Sequence, residues 1–165
     1  MTAEPSAGSE PIDPDLPAPS ARPREPAVVA AVALGGALGA LARYAAALRW
    51  PTEPGAFPWT TLGVNTVGCV LIGCFLVLVT EVPRAHPLLR PLVATGVLGG
   101  FTTLSTYAVD VELLLRDGRL GAGLGVLLGT LGCALLAVTG GAWGARRALR
   151  PLLARRAARA QGGAG

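Results

Sequence analysis

Four apolar runs separated by short polar, proline-rich or charged connections dominate the chain. The first, residues 27–48, is interrupted only by Arg43; the second covers 59–80, the third 92–115 and the fourth 120–143. Each is close to the roughly 20 residues a helix needs to cross the hydrocarbon core of a bilayer. The connections carry helix-stopping residues. Pro51, Pro54, Gly55 and Pro58 sit in the first, Pro83, Pro87 and Pro91 in the second, and Asp117 and Gly118 in the third. Trp50 and Trp59 flank the first connection, where amphipathic rings suit a membrane interface. Gly35, Gly36 and Gly39 leave a flat face on the first span for close helix contact. The pattern predicts an all-α membrane protein with four transmembrane helices.

The third run is apolar at both ends and irregular in its middle. Gly96, Gly99 and Gly100 are followed by Thr102, Thr103, Ser105 and Thr106, a combination poor for an uninterrupted helix. Backbone can leave helical geometry at membrane depth only where protein or a water-filled cavity satisfies its polar groups. The third helix is therefore expected to be broken near its middle, at a functional site.

Composition sharpens this picture. The 165 residues include 23 glycines, few aromatics and only 15% charged residues, which suits a bundle packed through small side chains. Cys69, Cys74 and Cys133 lie in apolar runs without metal-ligand spacing and read as free thiols. Residues 1–26 hold seven prolines, five acids and two arginines, and are expected to form a disordered tail. Residues 149–165 read as a basic tail behind a four-helix domain spanning 27–148. His86 stands alone in a proline-rich connection and reads as a solvated side chain.

Charge bears on topology. All 14 basic residues are arginine, and apart from the N-terminal tail there are 12 of them against five acids. Arg146, Arg147, Arg150, Arg155, Arg156 and Arg159, with Arg84 and Arg90, place both termini in the cytoplasm by the positive-inside rule; Arg49, Arg116 and Arg119 oppose that bias. With four apolar spans, the charge serves topology and lipid contact rather than nucleic-acid binding.

The interior offers no catalytic set, metal triad or phosphate loop, so no enzymatic activity is expected. It offers neutral donors: Asn65, Thr66, Thr102, Thr103, Ser105, Thr106 and Tyr107. These suit a small, strongly hydrated anion that must exchange water for protein donors without being trapped. Carbonyls near Gly99 and Gly100 would suit a cation. Three positions admit simpler roles. Arg43 is near enough to a span end to snorkel, Asp110 near enough to be solvated, and Asn65 can act as helix–helix glue.

Three motifs then become recognisable. Gly35-Gly36-Ala37-Leu38-Gly39-Ala40-Leu41-Ala42-Arg43-Tyr44, Thr61-Leu62-Gly63-Val64-Asn65-Thr66-Val67-Gly68 and Gly99-Gly100-Phe101-Thr102-Thr103-Leu104-Ser105-Thr106-Tyr107 resemble the fluoride channels of the Fluc (CrcB) family. The resemblance implies an antiparallel, dual-topology dimer with two fluoride pores and a structural sodium ion at its centre. It implies Asn65, Leu104, Ser105, Thr106 and Tyr107 along the pore, and Arg43 and Asp110 at the vestibule or access path. The backbone carbonyls of Gly99 and Thr102 would face sodium. Passive fluoride exit through a bacterial plasma membrane is the implied activity. The chain departs from the family pattern where Leu104 and Tyr107 replace two phenylalanines and Ala108 replaces a serine. A phenyl edge can face an anion; Leu104 lacks one. Its partner is therefore a second copy of itself or a related subunit of opposite orientation. An accessory subunit is the first alternative. A four-span drug exporter is the second, though no carboxylate lies mid-span.

Overall fold

A computed structural model describes residues 24–81 and 86–162, with side chains to residue 152. The tail expected over 1–26 and the Pro83–Arg84 part of the second connection therefore lie largely outside the described residues. The described residues form helices joined by turns and short irregular links and contain no strand. Helix α1 spans Glu25–Arg49 and α2 spans Trp59–Glu81. The third apolar stretch contains a π-helical segment, Pro91–Leu98, then a short turn α3, Gly99–Phe101, and helix α4, Ser105–Arg116. Helix α5 runs Leu120–Gly162. Four helical stretches, 25–49, 59–81, 91–116 and 120–152, are long and apolar enough to cross a membrane.

Two ends differ from expectation. Helix α1 starts at Glu25, ahead of residue 27, because Pro26 sits in the first turn, where a missing N–H costs nothing. Helix α5 continues well past residue 143, through Pro151, so the arginine-rich end is helical. Alanine, leucine and arginine are strong helix formers and outweigh one proline there.

The turns follow their residue chemistry. Gly55 and Gly118 adopt φ of +73°, a conformation open to glycine without steric penalty. Gly118 closes α4 with two bonds, its own N–H to Leu115 O (3.1 Å) and Arg119 N–H to Leu114 O (2.9 Å), which satisfy terminal carbonyls. Thr60 donates to Trp50 O (2.5 Å) across the first connection, and the Phe57 and Trp59 rings lie 4.5 Å apart. His86 is exposed and accepts the Leu88 N–H (3.2 Å), helping to start the third stretch.

Packing relies on glycine more than on large side chains. Gly35 and Gly39 of α1 meet the backbone around Leu92, Val97 and Phe101, while Gly96 and Gly100 meet Gly35 and Gly36 in return. Both helices thus present small residues four apart, and their backbones approach closely. A second seam joins α2 to α5. There Gly73 lies against Val138 and Ala142, Gly141 lies against Val70, and the Cys74 thiol donates to Gly141 O (3.3 Å). All three cysteines are free. Val111, Leu114 and Val126 form a small core between α4 and α5, with Phe57, Tyr107 and Ala122 around it. Many large apolar side chains face outward, including Leu38, Leu41, Leu104, Leu128 and Leu136. Lipid or a partner must cover them, since so many exposed large apolar side chains are unfavourable in water.

At Gly39 an added methyl would meet Val97 O and come within 2.7 Å of Phe101 N, both backbone atoms that cannot rotate away. Gly39→Ala is expected to destabilise the fold by about 1–3 kcal/mol, read as a lower thermal midpoint in detergent. Gly144→Ala, where a methyl meets nothing within 4 Å, should leave the midpoint unchanged or raise it.

Candidate functional site

The local structure of residues 98–107 follows from which groups take which hydrogen bonds. Leu98 O accepts both the N–H and the hydroxyl of Thr102, each at 3.0 Å, and this completes the last helical turn. Thr102 then turns extended, with φ −75° and ψ 157°. The next amide in a continuous helix would bond Gly99 O. Instead the Thr103 N–H donates to Asn65 Oδ1 (2.8 Å), and Asn65 Nδ2 donates to Thr103 O (2.9 Å). Asn65 is buried. Its carboxamide therefore supplies both partners that Thr103 loses by leaving the helix, which matches the need to satisfy buried backbone groups.

The hydroxyl of Thr103 starts the next helix. Its Oγ1 accepts the Thr106 N–H (3.1 Å), a cap-like bond made one residue ahead of the α4 N-cap, Leu104. It also donates to Thr106 Oγ1 (3.0 Å) and lies 3.3 Å from Ser105 Oγ. The Thr106 amide is thereby turned away from Thr102 O. Both Gly99 O and Thr102 O thus lose the amide four residues on that a continuous helix would supply. Gly100 O takes a different partner, the Arg43 Nε at 3.2 Å.

A cavity of about 260 Å³ opens beside this stretch, lined in part by Asn65, Thr102, Thr103, Leu104, Tyr107 and Thr130. Asn65, Leu104 and Tyr107, expected along one path from the sequence, lie together here. Leu104 is 77% exposed in the single chain, so one side of the cavity is open. The Tyr107 hydroxyl is engaged, donating to Leu127 O of α5 (2.8 Å). Ser105 and Thr106 lie on the exposed first turn of α4, outside the cavity wall. Asp110 also lies outside it, accepting from the Thr61 hydroxyl (2.7 Å). Arg43 braces Gly100 instead of lining this cavity.

Two residues on this wall escaped sequence reasoning as site residues. Thr103 was visible only as one hydroxyl among several. Thr130 is buried on α5; a lone threonine in a glycine- and leucine-rich run gives no signal of its own.

Electrostatically, the stretch joins two unlike helix ends. The end at Phe101 presents carbonyls and partial negative charge; the start of α4 at Ser105 presents amides and partial positive charge. Cation-seeking and anion-seeking groups thus lie within a few residues of each other.

Comparison with known proteins follows the same lines. Residues 30–142 match the family described as CrcB-like protein, Camphor Resistance (CrcB). A Streptomyces coelicolor protein named Fluoride-specific ion channel FluC 1 is 63% identical over 123 residues, which is 74% of this chain and 80% of that protein. A Streptomyces avermitilis protein named Fluoride-specific ion channel FluC 2 is 60% identical over 104 residues, 63% of this chain and 66% of that protein. A Nocardia farcinica protein, also named Fluoride-specific ion channel FluC 2, is 49% identical over 124 residues, 75% of this chain and 89% of that protein. With four apolar helical stretches and a match across most of its length, the chain belongs to the CrcB family and is a multi-pass protein of the bacterial plasma membrane.

Proposed function

We propose that this chain forms a fluoride-specific channel that lets the cytoplasmic anion leave passively, which lowers fluoride toxicity. The observation that carries the reading is the Asn65–Thr103 pair. It supports a break in the third membrane helix beside a cavity lined with hydroxyl groups. Fluoride is small and strongly hydrated, so a path for it needs donors that replace water. The start of α4, the Thr130 hydroxyl and the second Nδ2 proton of Asn65 are suited to that work. Leu104 and the Tyr107 ring supply an apolar wall that excludes competing water. Arg43 and Asp110 are read as vestibule groups at the ends of the path. No energy source is needed for an anion moving down its electrochemical gradient.

A structural sodium ion belongs to the same reading. Hard cations take oxygen donors, and Gly99 O and Thr102 O are two oxygens released from helical bonding by Asn65 and Thr103, so the residues fit. Bound there, the ion would offset the negative dipole end at Phe101. Two carbonyls are too few to enclose it, and Leu104 leaves the cavity open on one side. Both features favour an antiparallel dimer in which a second chain completes each site. Two copies of this chain are the leading arrangement. Leu104, which stands where the family has a ring, and the one-sided arginine distribution favour a related subunit as the second reading.

Reconstitution of the purified chain in liposomes tests both. Fluoride efflux read by a selective electrode should appear only when valinomycin lets potassium balance the charge, and chloride should give none. Silence from a homodimer that is restored by a related subunit would establish the second reading; silence under both conditions would contradict the channel. Asn65→Ala should strongly reduce flux while leaving the dimer intact, and should destabilise the fold by about 1–3 kcal/mol through the unpaired Thr103 groups. Unchanged flux would remove Asn65 from the path. Leu104→Phe should maintain or raise flux, and a fall would show a path fitted to leucine.

A further inference from the structure

The far end of α5 carries a second concave surface. Thr139, Ala142, Trp143, Arg146, Arg147 and Arg150 surround about 330 Å³. Their spacing is that of a single helical stripe. The stripe begins apolar and ends basic. At its start, the Thr139 hydroxyl is turned back onto Leu135 O and Leu136 O, at 2.8 and 3.1 Å, so it offers no free donor. Trp143 stands 66% exposed in the middle, with the Arg147 guanidinium 5.9 Å from its ring centre. Three exposed arginines close the stripe.

Nothing on the described surface neutralises those arginines. Residues 120–162 contain no acid. Among the described residues the one salt bridge joins Arg116 to Glu112, and Glu81 at the end of the adjacent α2 makes none with this group. The stripe lies in the last third of the helical stretch, Leu120–Leu152, that is long and apolar enough to cross a membrane. Its order along the helix is therefore apolar surface, interfacial tryptophan, then guanidinium. A phospholipid presents the same sequence of acyl chain, glycerol and phosphate. Arginine binds phosphate oxygens in a fork of paired bonds, and tryptophan favours the interface between the two zones.

We propose that this stripe is a binding site for an anionic phospholipid, with its phosphate on Arg146, Arg147 and Arg150 and its acyl chain along Ala142 and Trp143. The site lies about 24 Å along the helix from Thr130 at the 1.5 Å rise per residue. It would anchor α5 at the interface without entering the cavity beside Asn65.

Trp143 provides the readout. In the full chain carrying Trp50→Phe and Trp59→Phe, Trp143 is the one tryptophan left. The protein is placed in phosphatidylcholine vesicles, with doxyl-labelled phosphatidylglycerol or doxyl-labelled phosphatidylcholine added as quencher. The anionic lipid is expected to quench at lower mole fraction. Arg146→Gln, Arg147→Gln and Arg150→Gln should each weaken that preference by about fivefold, the factor for one arginine near an anionic headgroup. Arg155→Gln, Arg156→Gln and Arg159→Gln together should leave it unchanged, as should excess inorganic phosphate. Equal quenching by the two lipids would overturn the proposal. So would an equal loss from the distal arginines, which would mean diffuse attraction, or displacement by inorganic phosphate, which would mean a free-anion site.

Discussion

A membrane helix cannot release its backbone groups into hydrocarbon, so any departure from helical geometry at that depth must be matched group for group. Asn65 meets this constraint at Thr103. A carboxamide is the side chain suited to it, since one face offers an acceptor and a donor side by side. Aspartate would offer two acceptors and bring a charge; leucine would offer neither bond. The two bonds, 2.8 and 2.9 Å, have good lengths for N–H···O geometry. The rest of the site depends on them. Once Thr103 is held by α2, its hydroxyl is free to begin α4, and the carbonyls of Gly99 and Thr102 are left without helical donors.

The same constraint explains why the surrounding bundle is built on glycine. A non-helical stretch has to be held against neighbours that cannot move. Gly35 and Gly39 bring the α1 backbone against residues 92–101, and Arg43, one turn beyond Gly39, reaches Gly100 O. On the other side, the seam of α2 with α5 fixes the helix that carries Asn65. Large apolar side chains are thereby left on the outside. This arrangement is acceptable in lipid, where burying leucine between helices brings no hydrophobic gain over leucine in acyl chains.

Much of this was legible in the sequence, and the reasons are specific. Span lengths followed from apolar runs with proline and glycine between them, because the bilayer sets one length for all four. The irregular middle of the third stretch was visible because glycines and hydroxyls cluster there against an apolar background. Asn65 stood out as the one amide in a span. Three things were not legible. The partner of Asn65 was hidden because Thr103 contributes backbone atoms, which carry no residue signature. Thr130 was hidden because a single hydroxyl on a helix usually bonds its own backbone. The helical continuation of α5 past residue 143 was hidden because arginine-rich ends read equally well as helix or tail, and Pro151 pointed the wrong way.

In the proposed channel, Asn65 holds residues 102–104 out of the helix. Carbon chemical shifts of Thr102 and Thr103, measured by solid-state NMR on labelled protein in bilayers, test this when the native chain is compared with Asn65→Leu. Extended-backbone shifts are expected at Thr102 in the native protein, moving toward helical values when the carboxamide is removed. Helical shifts in the native protein, or extended shifts that persist unchanged in Asn65→Leu, would contradict it.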